Sequence, residues 1–173
     1  MILALDVSTT TIGVAIIDNK KVIEIEAIEL KKTKDLLDKI VFVEDWFNTS
    51  PLLKKYRKKI KEVRIEQFLQ NFRRGFSSAA TITKLAGFNT AIQYLVYVKL
   101  SLRPNMVSSN TARSSIGINL DKSRDTKEQI CEFVHEHHIK LPRKILKVGK
   151  NKGKETWADY ANDIADAVVI GLS

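Results

Sequence analysis

The first thirty residues carry apolar and polar positions in patterns that predict three strands. Residues Ile2–Val7 are apolar except for Asp6, and a short run of this kind indicates a strand covered on both faces. Gly13–Asp18 is predicted as a second strand that ends in a hairpin turn at Asn19-Lys20. In Val22–Leu30 charged residues alternate with apolar ones, which is typical of a half-exposed antiparallel edge strand.

The rest of the chain alternates helical and strand-like patterns. The predicted elements are a helix at Thr33–Asn48 with Thr33 as N-cap, a strand at Lys61–Glu66, a helix at Ser77–Leu100, a strand at Pro104–Ser108, and helices at Thr126–His138 and Thr156–Leu172. This order predicts an α/β fold with a five-stranded mixed sheet, an antiparallel meander plus parallel strands, flanked by helices. A length of 173 residues fits one domain, 1–173.

The positive charge of the chain is segregated. Residues 54–64 hold seven basic residues and one acidic residue, and residues 140–154 hold seven basic residues and no acidic one. The two segments together carry a charge of +13, whereas the whole chain carries +9, so the remaining residues carry −4. Such segregation suits a surface that neutralises phosphates, although solvated lysine-rich loops would give the same pattern.

Composition excludes several classes of protein. The single cysteine, Cys131, cannot form an internal disulfide, and one cysteine with three histidines makes a zinc site improbable. No apolar run is long enough to span a membrane. We therefore expect a protein of a reducing compartment, namely the cytoplasm of a prokaryotic or phage-infected cell, or an organelle if a leader has been removed.

Four acidic residues stand at positions that favour metal-ion chemistry. Asp6 and Glu66 each end a predicted strand, and parallel strands would bring both to the same edge of the sheet. Asp163 and Asp166 are three apart, so they share a helix face. Converging carboxylates need compensation, which two Mg²⁺ ions would supply while activating water against a phosphodiester. The simpler alternatives are a solvated Asp163 and a Glu66 paired with a nearby arginine.

In this order the acidic positions resemble those of the RuvC family of Holliday junction resolvases. The resemblance rests on ILALDVSTTTIGVAII at the start, IEQ at residues 65–67 before a long helix, and DIADAVVIG at residues 163–171. It implies a ribonuclease H-like fold, a homodimer, and Mg²⁺-dependent paired nicking of four-way DNA junctions, with Mn²⁺ as a substitute. The family has Pro-Gly after its first aspartate where this chain has Val7-Ser8, which suggests a phage or viral relative.

The resemblance also implies residues beyond the four acids. Family lysines near the site would correspond to Lys127 and to Arg113, and the family's base-contacting aromatic residue to Phe68 or Phe72, which core packing would explain equally well. We further expect branched DNA to contact Arg73, Arg74, Arg113, Lys144, Lys147 and Lys150.

Other functions remain open from the sequence. A nuclease of the same fold acting on RNA or RNA–DNA hybrids would share the first strand and the late aspartates. A non-catalytic junction-binding protein is less consistent with four retained carboxylates. An actin-like ATPase would need two lobes and a glycine after Asp6. The helix Ser77–Leu100 has apolar residues on more than one face, so it is the expected dimer contact.

Overall fold

The computed structural model describes residues 1–33, 35–68, 79–149 and 152–173. The strands are β1 (Ile2–Val7), β2 (Thr11–Asp18), β3 (Lys21–Glu29), β4 (Glu62–Glu66), β5 (Asn105–Val107), β6 (Arg143–Ile145) and β7 (Glu155–Trp157). The helices are α1 (Leu36–Thr49), α2 (Pro51–Tyr56), α3 (Ala79–Leu100), α4 (Ser109–Ser115), α5 (Thr126–His137) and α6 (Ala161–Leu172). Among these described helices, none combines the length and the apolar character needed to cross a bilayer.

Five strands form the central sheet in the order β3-β2-β1-β4-β5. Strands β1, β2 and β3 pair antiparallel as a meander, whereas β4 pairs parallel with both β1 and β5. The turn from β2 to β3 places Asn19 and Lys20 at φ of 48° and 60°, the left-handed conformation that tight hairpins require. The predicted five-stranded mixed sheet is therefore confirmed.

The sheet separates two hydrophobic layers. One face packs against α1, α2 and α3 around buried residues such as Phe47, Phe88 and Ile92. The other face forms a hydrophobic layer with α4, α5 and α6. Small side chains, such as Ala4 and Ala15 on the sheet and the alanines of α6, allow this helix to approach the sheet closely. The free Cys131 is buried in this second layer.

The structure corrects several predicted element boundaries. Residues 156–160 do not begin the last helix, because Trp157 belongs to β7 and α6 starts only at Ala161. The pairing of β6 with β7 forms a separate two-stranded hairpin, which a helical reading of the apolar spacing could not detect. Helix α1 is capped by Asp35, whose carboxylate accepts the backbone N–H of Leu37, and not by Thr33. Helices α2 and α4 were not predicted.

The two basic segments lie at different places in the fold. Residues 54–61 lie at the amino end of β4, where the N–H of Lys61 donates to the carbonyl of Met1. This is the edge of the sheet opposite to the carboxyl ends of β1 and β4. In the second segment, residues 140–149 contain β6, and residues 152–154 lead into β7, which precedes α6 in the chain. The second basic segment therefore precedes, in the chain, the helix that carries Asp163 and Asp166.

Candidate active site

The parallel pairing of β1 with β4 brings two predicted acids together. Along β1 and β4, Leu5 and Ile65 face the layer of α1 and α3, so the alternation of a strand turns Asp6 and Glu66 to the opposite face. Leu5 is in register with Ile65, which places the next two residues side by side. Their carboxyl groups lie within hydrogen-bonding reach. Asp6 and Glu66 therefore meet at the carboxyl edge of the sheet, as expected.

A glycine brings the helix α6 onto this pair of strands. Gly13 on β2 is the register partner of Asp6. A Cβ atom added to Gly13 would lie 1.9 Å from the carbonyl oxygen of Asp163, so any larger residue would collide with the helix backbone. A glycine within a strand often marks such a close approach. It sets the first turn of α6, and with it Asp163 and Asp166, against Asp6.

Burial disfavours the ionised forms of Asp6, Asp163 and Asp166. Asp6 is only 7% exposed, and burial raises its pKa well above the usual range, assisted by the adjacent Glu66, Asp166 and Asp163. Burial raises the pKa of Asp163 to about 6 and also raises the pKa of Asp166. Because the three acids and Glu66 act on one another electrostatically, they form one interacting cluster, which is the arrangement that a bound cation would relieve.

Helix α4 supplies hydrogen-bond partners to two of the acids. The Ser109 hydroxyl donates to the carboxylate of Glu66, and Nη2 of Arg113 donates to Oδ1 of Asp166 at 3.1 Å. Ser109 and Arg113 are four residues apart, so they share one face of the helix. Nε of Arg113 is buried and has no hydrogen-bond partner among the described residues. Arg113 was predicted as a DNA contact, and its guanidinium here forms an ion pair with Asp166.

Two lysines add positive charge around Asp163. Lys127, at the start of α5, lowers the pKa of Asp163 and of Asp166, although burial prevails at both. Lys31, in the connection after β3, acts on Asp163 in the same direction. Both lysines are exposed. The sequence predicted Lys127 but not Lys31, which has no distinguishing local pattern.

Two polar residues of α3 hold the end of β4 in place. Asn89, which is 1% exposed, donates from Nδ2 to the carbonyl of Glu66 at 3.3 Å. Gln93 in turn donates from Nε2 to Oδ1 of Asn89 at 2.8 Å. Sequence analysis missed both. Their spacing of four residues within an otherwise apolar stretch was the available signal, since a buried amide must be hydrogen-bonded.

The segment after Asp6 shows how this chain forms the turn where the RuvC family has Pro-Gly. The hydroxyl of Ser8 donates to the carbonyl of Thr11 at 2.7 Å and accepts the N–H of Thr11 at 3.0 Å. Nζ of Lys39 donates to the carbonyl of Thr9 at 2.7 Å. A serine side chain and a lysine from α1 therefore stabilise the turn between β1 and β2.

The remaining predicted DNA contacts are spread over the surface or lie outside the described residues. Phe68 follows β4 and is half-buried. Lys144 forms an ion pair with Asp159, and Lys147 is exposed beyond the end of β6. The predicted contacts outside the described residues are Phe72, Arg73, Arg74 and Lys150.

The overall arrangement matches solved structures. Over 99% of this chain and 89% of the other, it is similar to Thermus thermophilus RuvC in complex with a Holliday junction substrate, with a TM-score of 0.64 at 13% identity. The chain has the ribonuclease H-like fold of RuvC. A second structure of T. thermophilus RuvC gives a TM-score of 0.58 at 14% identity, covering 99% of this chain and 90% of that one. The structure of the yeast mitochondrial Holliday junction resolvase gives a TM-score of 0.53 at 16% identity, covering 99% of this chain and 75% of that one. By sequence, no family profile and no curated protein matches.

The donor set of the cluster fits a hard divalent cation in its chemistry. All four side chains offer carboxylate oxygens, the ligands that Mg²⁺ prefers. In the described part of the chain, however, no three acidic, histidine or cysteine side chains stand ready as a preformed metal cage. The contacts of Ser109 with Glu66 and of Arg113 with Asp166 account for part of this. Metal binding would therefore require the acid side chains to exchange these partners for the ion.

Proposed function

We propose that this protein is a metal-dependent endonuclease that resolves four-way DNA junctions, with Asp6, Glu66, Asp163 and Asp166 as its catalytic acids. The observation that carries the proposal is their convergence from β1, β4 and α6 at the carboxyl edge of the sheet. Isolated surface acids would not explain why Asp6 lies buried at the end of an apolar strand. Such burial is costly unless it serves charge chemistry.

The four carboxylates would hold Mg²⁺, with Mn²⁺ as a substitute. When bound, such ions activate a water molecule and stabilise the leaving oxygen of a phosphodiester. The chain's own residues would position the reactants around them. Asn89 fixes the backbone of Glu66, Gly13 sets the distance of α6, and Lys127 and Lys31 place positive charge beside Asp163 for a phosphate.

Branched DNA as the substrate is supported by the fold and by charge. The RuvC structure that this chain resembles was determined with a Holliday junction substrate. The net charge of +9 favours a phosphate-bearing polymer. We also propose that Phe68, which lies two residues after Glu66 and the end of β4, contacts bases that are unstacked at the centre of the junction.

A homodimer would supply the second active site that paired nicking needs. Helix α3 exposes Tyr94, Tyr97 and Val98 on its outer face. The adjacent α1 exposes Val41 and Phe42 on the same layer of the molecule. Contiguous exposed apolar residues often mark protein interfaces. The predicted contact through the long helix is therefore extended here to include α1.

The decisive experiment is to incubate the protein with a mobile four-way junction and Mg²⁺ and to map nicks on all four strands. Paired nicks at symmetric positions on two strands of like polarity are expected. An RNA–DNA hybrid and a linear duplex of the same sequence are assayed in parallel. Preferential cleavage of the hybrid would replace the proposed substrate, and junction binding without any cleavage would identify a non-catalytic binding protein. The Asp6→Asn variant is the control for contaminating nuclease.

A further inference from the structure

The proposed active site does not use the basic hairpin that precedes α6 in the chain. We define the basic arm as residues 142–149 and 152–158, which contain β6 and β7. Beyond the strands the pairing continues, because the N–H of Leu146 donates to the carbonyl of Lys154 at 3.0 Å and that of Gly153 to the carbonyl of Leu146 at 2.8 Å. The arm is thus an ordered hairpin on both sides of its turn.

The root of the basic arm is fastened to the region that carries Asp163. The guanidinium of Arg143 lies over the ring of Trp157 at 4.4 Å from its centroid and pairs with Glu155 at 2.8 Å. Lys144 pairs with Asp159, four residues before Asp163 in the chain. Arg143 therefore has its partners within the arm, whereas Lys144 joins the arm to the residues just before α6.

His135 connects the same root to α5. Its ring packs edge-on against Trp157, with 5.1 Å between centroids. Its Nδ1 accepts the N–H of Leu141 at 3.0 Å. The backbone of the arm is closed by a bond from the N–H of Ala158 to the carbonyl of Pro142 at 3.0 Å. The root is thus held by α5 as well as by the segment leading into α6.

The distal part of the basic arm has the opposite character. Lys147, Lys152 and Lys154 are exposed and have no ion-pair partner among the described residues. Beside these lysines the arm exposes Ile145 at 65% and Val148 at 81%. A loop that served only solubility would have no reason to expose two β-branched apolar residues among lysines. Cations beside apolar tips are a combination that suits the sugar-phosphate edge of a nucleic acid.

We propose that the basic arm grips a duplex arm of the DNA next to the strand being cut. Lys147, Lys152 and Lys154 contact its phosphates, and Val148 packs against sugar or base edges in the minor groove. The proposal rests on the proposed function, since it assumes a DNA substrate at the acids. The anchoring of the root beside Asp163 means that the position of the duplex would be transmitted to the active site through Lys144, Asp159 and the start of α6.

The test measures binding without divalent metal, using a fluorescent four-way junction and a linear duplex over a range of salt concentrations. Replacement of Lys147, Lys152 and Lys154 by alanine should weaken junction binding roughly tenfold or more at moderate salt, because each lost phosphate contact lowers the slope of log K against log salt by about 0.9. The Val148→Ser variant should weaken binding with an unchanged slope, since it removes no charge.

The matched control is the triple alanine variant of Lys54, Lys58 and Lys59. These exposed lysines lie at the opposite edge of the sheet, and their replacement removes the same net charge. It should leave the salt slope within about 0.3 of the wild type, because these lysines make no phosphate contact in this arrangement. Equal effects of the two triple variants would overturn the proposal, since the arm would then act only through net charge.

Failure of the arm and failure of the proposed function are distinguishable. If the arm variant keeps the wild-type affinity, salt slope and junction nicking, the proposal for the basic arm alone is overturned. A wild-type protein that binds DNA but cuts no branched substrate with Mg²⁺ would overturn the proposed function, while the slopes would still decide whether the arm contacts DNA. A wild-type protein that binds neither the four-way junction nor the linear duplex would overturn both the proposed function and the proposal for the basic arm. Circular dichroism verifies that each variant is folded.

Discussion

Replacement of Gly13 by alanine tests the link between packing and the candidate site. The added Cβ would lie 1.9 Å from the carbonyl oxygen of Asp163 and 2.7 Å from the nitrogen of Ile164. Neither neighbour can rotate away, because both are backbone atoms of α6. The first turn of the helix must retreat until the Cβ–oxygen distance exceeds 3.0 Å, the closest approach that real Cβ atoms show. That displacement carries Asp163 away from Asp6.

The size of the effect follows from the displacement. Overpacking of this kind costs about 1–3 kcal/mol in the free energy of unfolding. A misplacement of about 1 Å at a catalytic group lowers the rate by roughly 100-fold. We therefore expect Gly13→Ala to be folded but less stable, with junction cleavage per folded molecule reduced by about two orders of magnitude. Urea unfolding and single-turnover cleavage at saturating Mg²⁺ measure the two quantities.

The control is Gly171→Ala at the other end of α6. Its Cβ would meet Cγ1 of Ile17 at 2.6 Å and Cβ of Ala4 at 3.0 Å, so it also crowds the interface between helix and sheet. Its nearest neighbour is the side chain of Ile17 and not the helix backbone, and the position lies at the end of α6 away from the acids. Stability should fall while cleavage per folded molecule stays within about threefold, since no catalytic group is displaced. A Gly13→Ala protein with wild-type stability and cleavage would refute the reasoning.

Three further predictions concern individual side chains. Because burial raises the pKa of Asp163 to about 6 from 3.8, the metal-free protein should lose stability as pH rises across that interval. Asp163→Asn should then be more stable than wild type at pH 7.5 by about 1–2 kcal/mol, after allowance for solvent screening, and equally stable near pH 3.5. Its thermal unfolding should be insensitive to Mg²⁺. Arg113→Gln should lower the metal-free melting temperature, because Asp166 loses its counter-ion. The variant should nevertheless reach half-maximal stabilisation at a lower Mg²⁺ concentration than the wild type. An unchanged Mg²⁺ requirement would show that the guanidinium does not compete with the ion. Phe68→Ala should slow junction cleavage with little loss of melting temperature, and a large loss of melting temperature with normal cleavage would assign Phe68 to the core.

The positions of the acids could be predicted because strand pairing and helix periodicity act over short segments. Asp6 and Glu66 followed from two apolar strands, and Asp163 and Asp166 from a spacing of three. What could not be predicted depends on contacts between distant residues. The bond of Ser109 to Glu66 and the ion pair of Arg113 with Asp166 join residues 43 and 53 positions apart.

The β6–β7 hairpin shows a second reason for failure. Trp157 has neighbours with apolar spacing that continues into α6, so a helical interpretation of residues 156–160 was reasonable from local pattern alone. The strand conformation is determined instead by pairing across the hairpin, Arg143 with Trp157 and Ile145 with Glu155. Tertiary pairing overrode local propensity here, as it commonly does in short strands.

The late position of α6 in the chain has a consequence for synthesis in the cell. Asp6 emerges from the ribosome about 160 residues before Asp166 does, so the two cannot meet until almost all of these 173 residues have been made. Until then the face of β1 and β2 that α6 covers, including Ala4 and Ala15, has no cover. A ribosome that stalls or a message that is cut short would release a chain with an incomplete set of acids. If the proposed function holds, such fragments would not cut DNA.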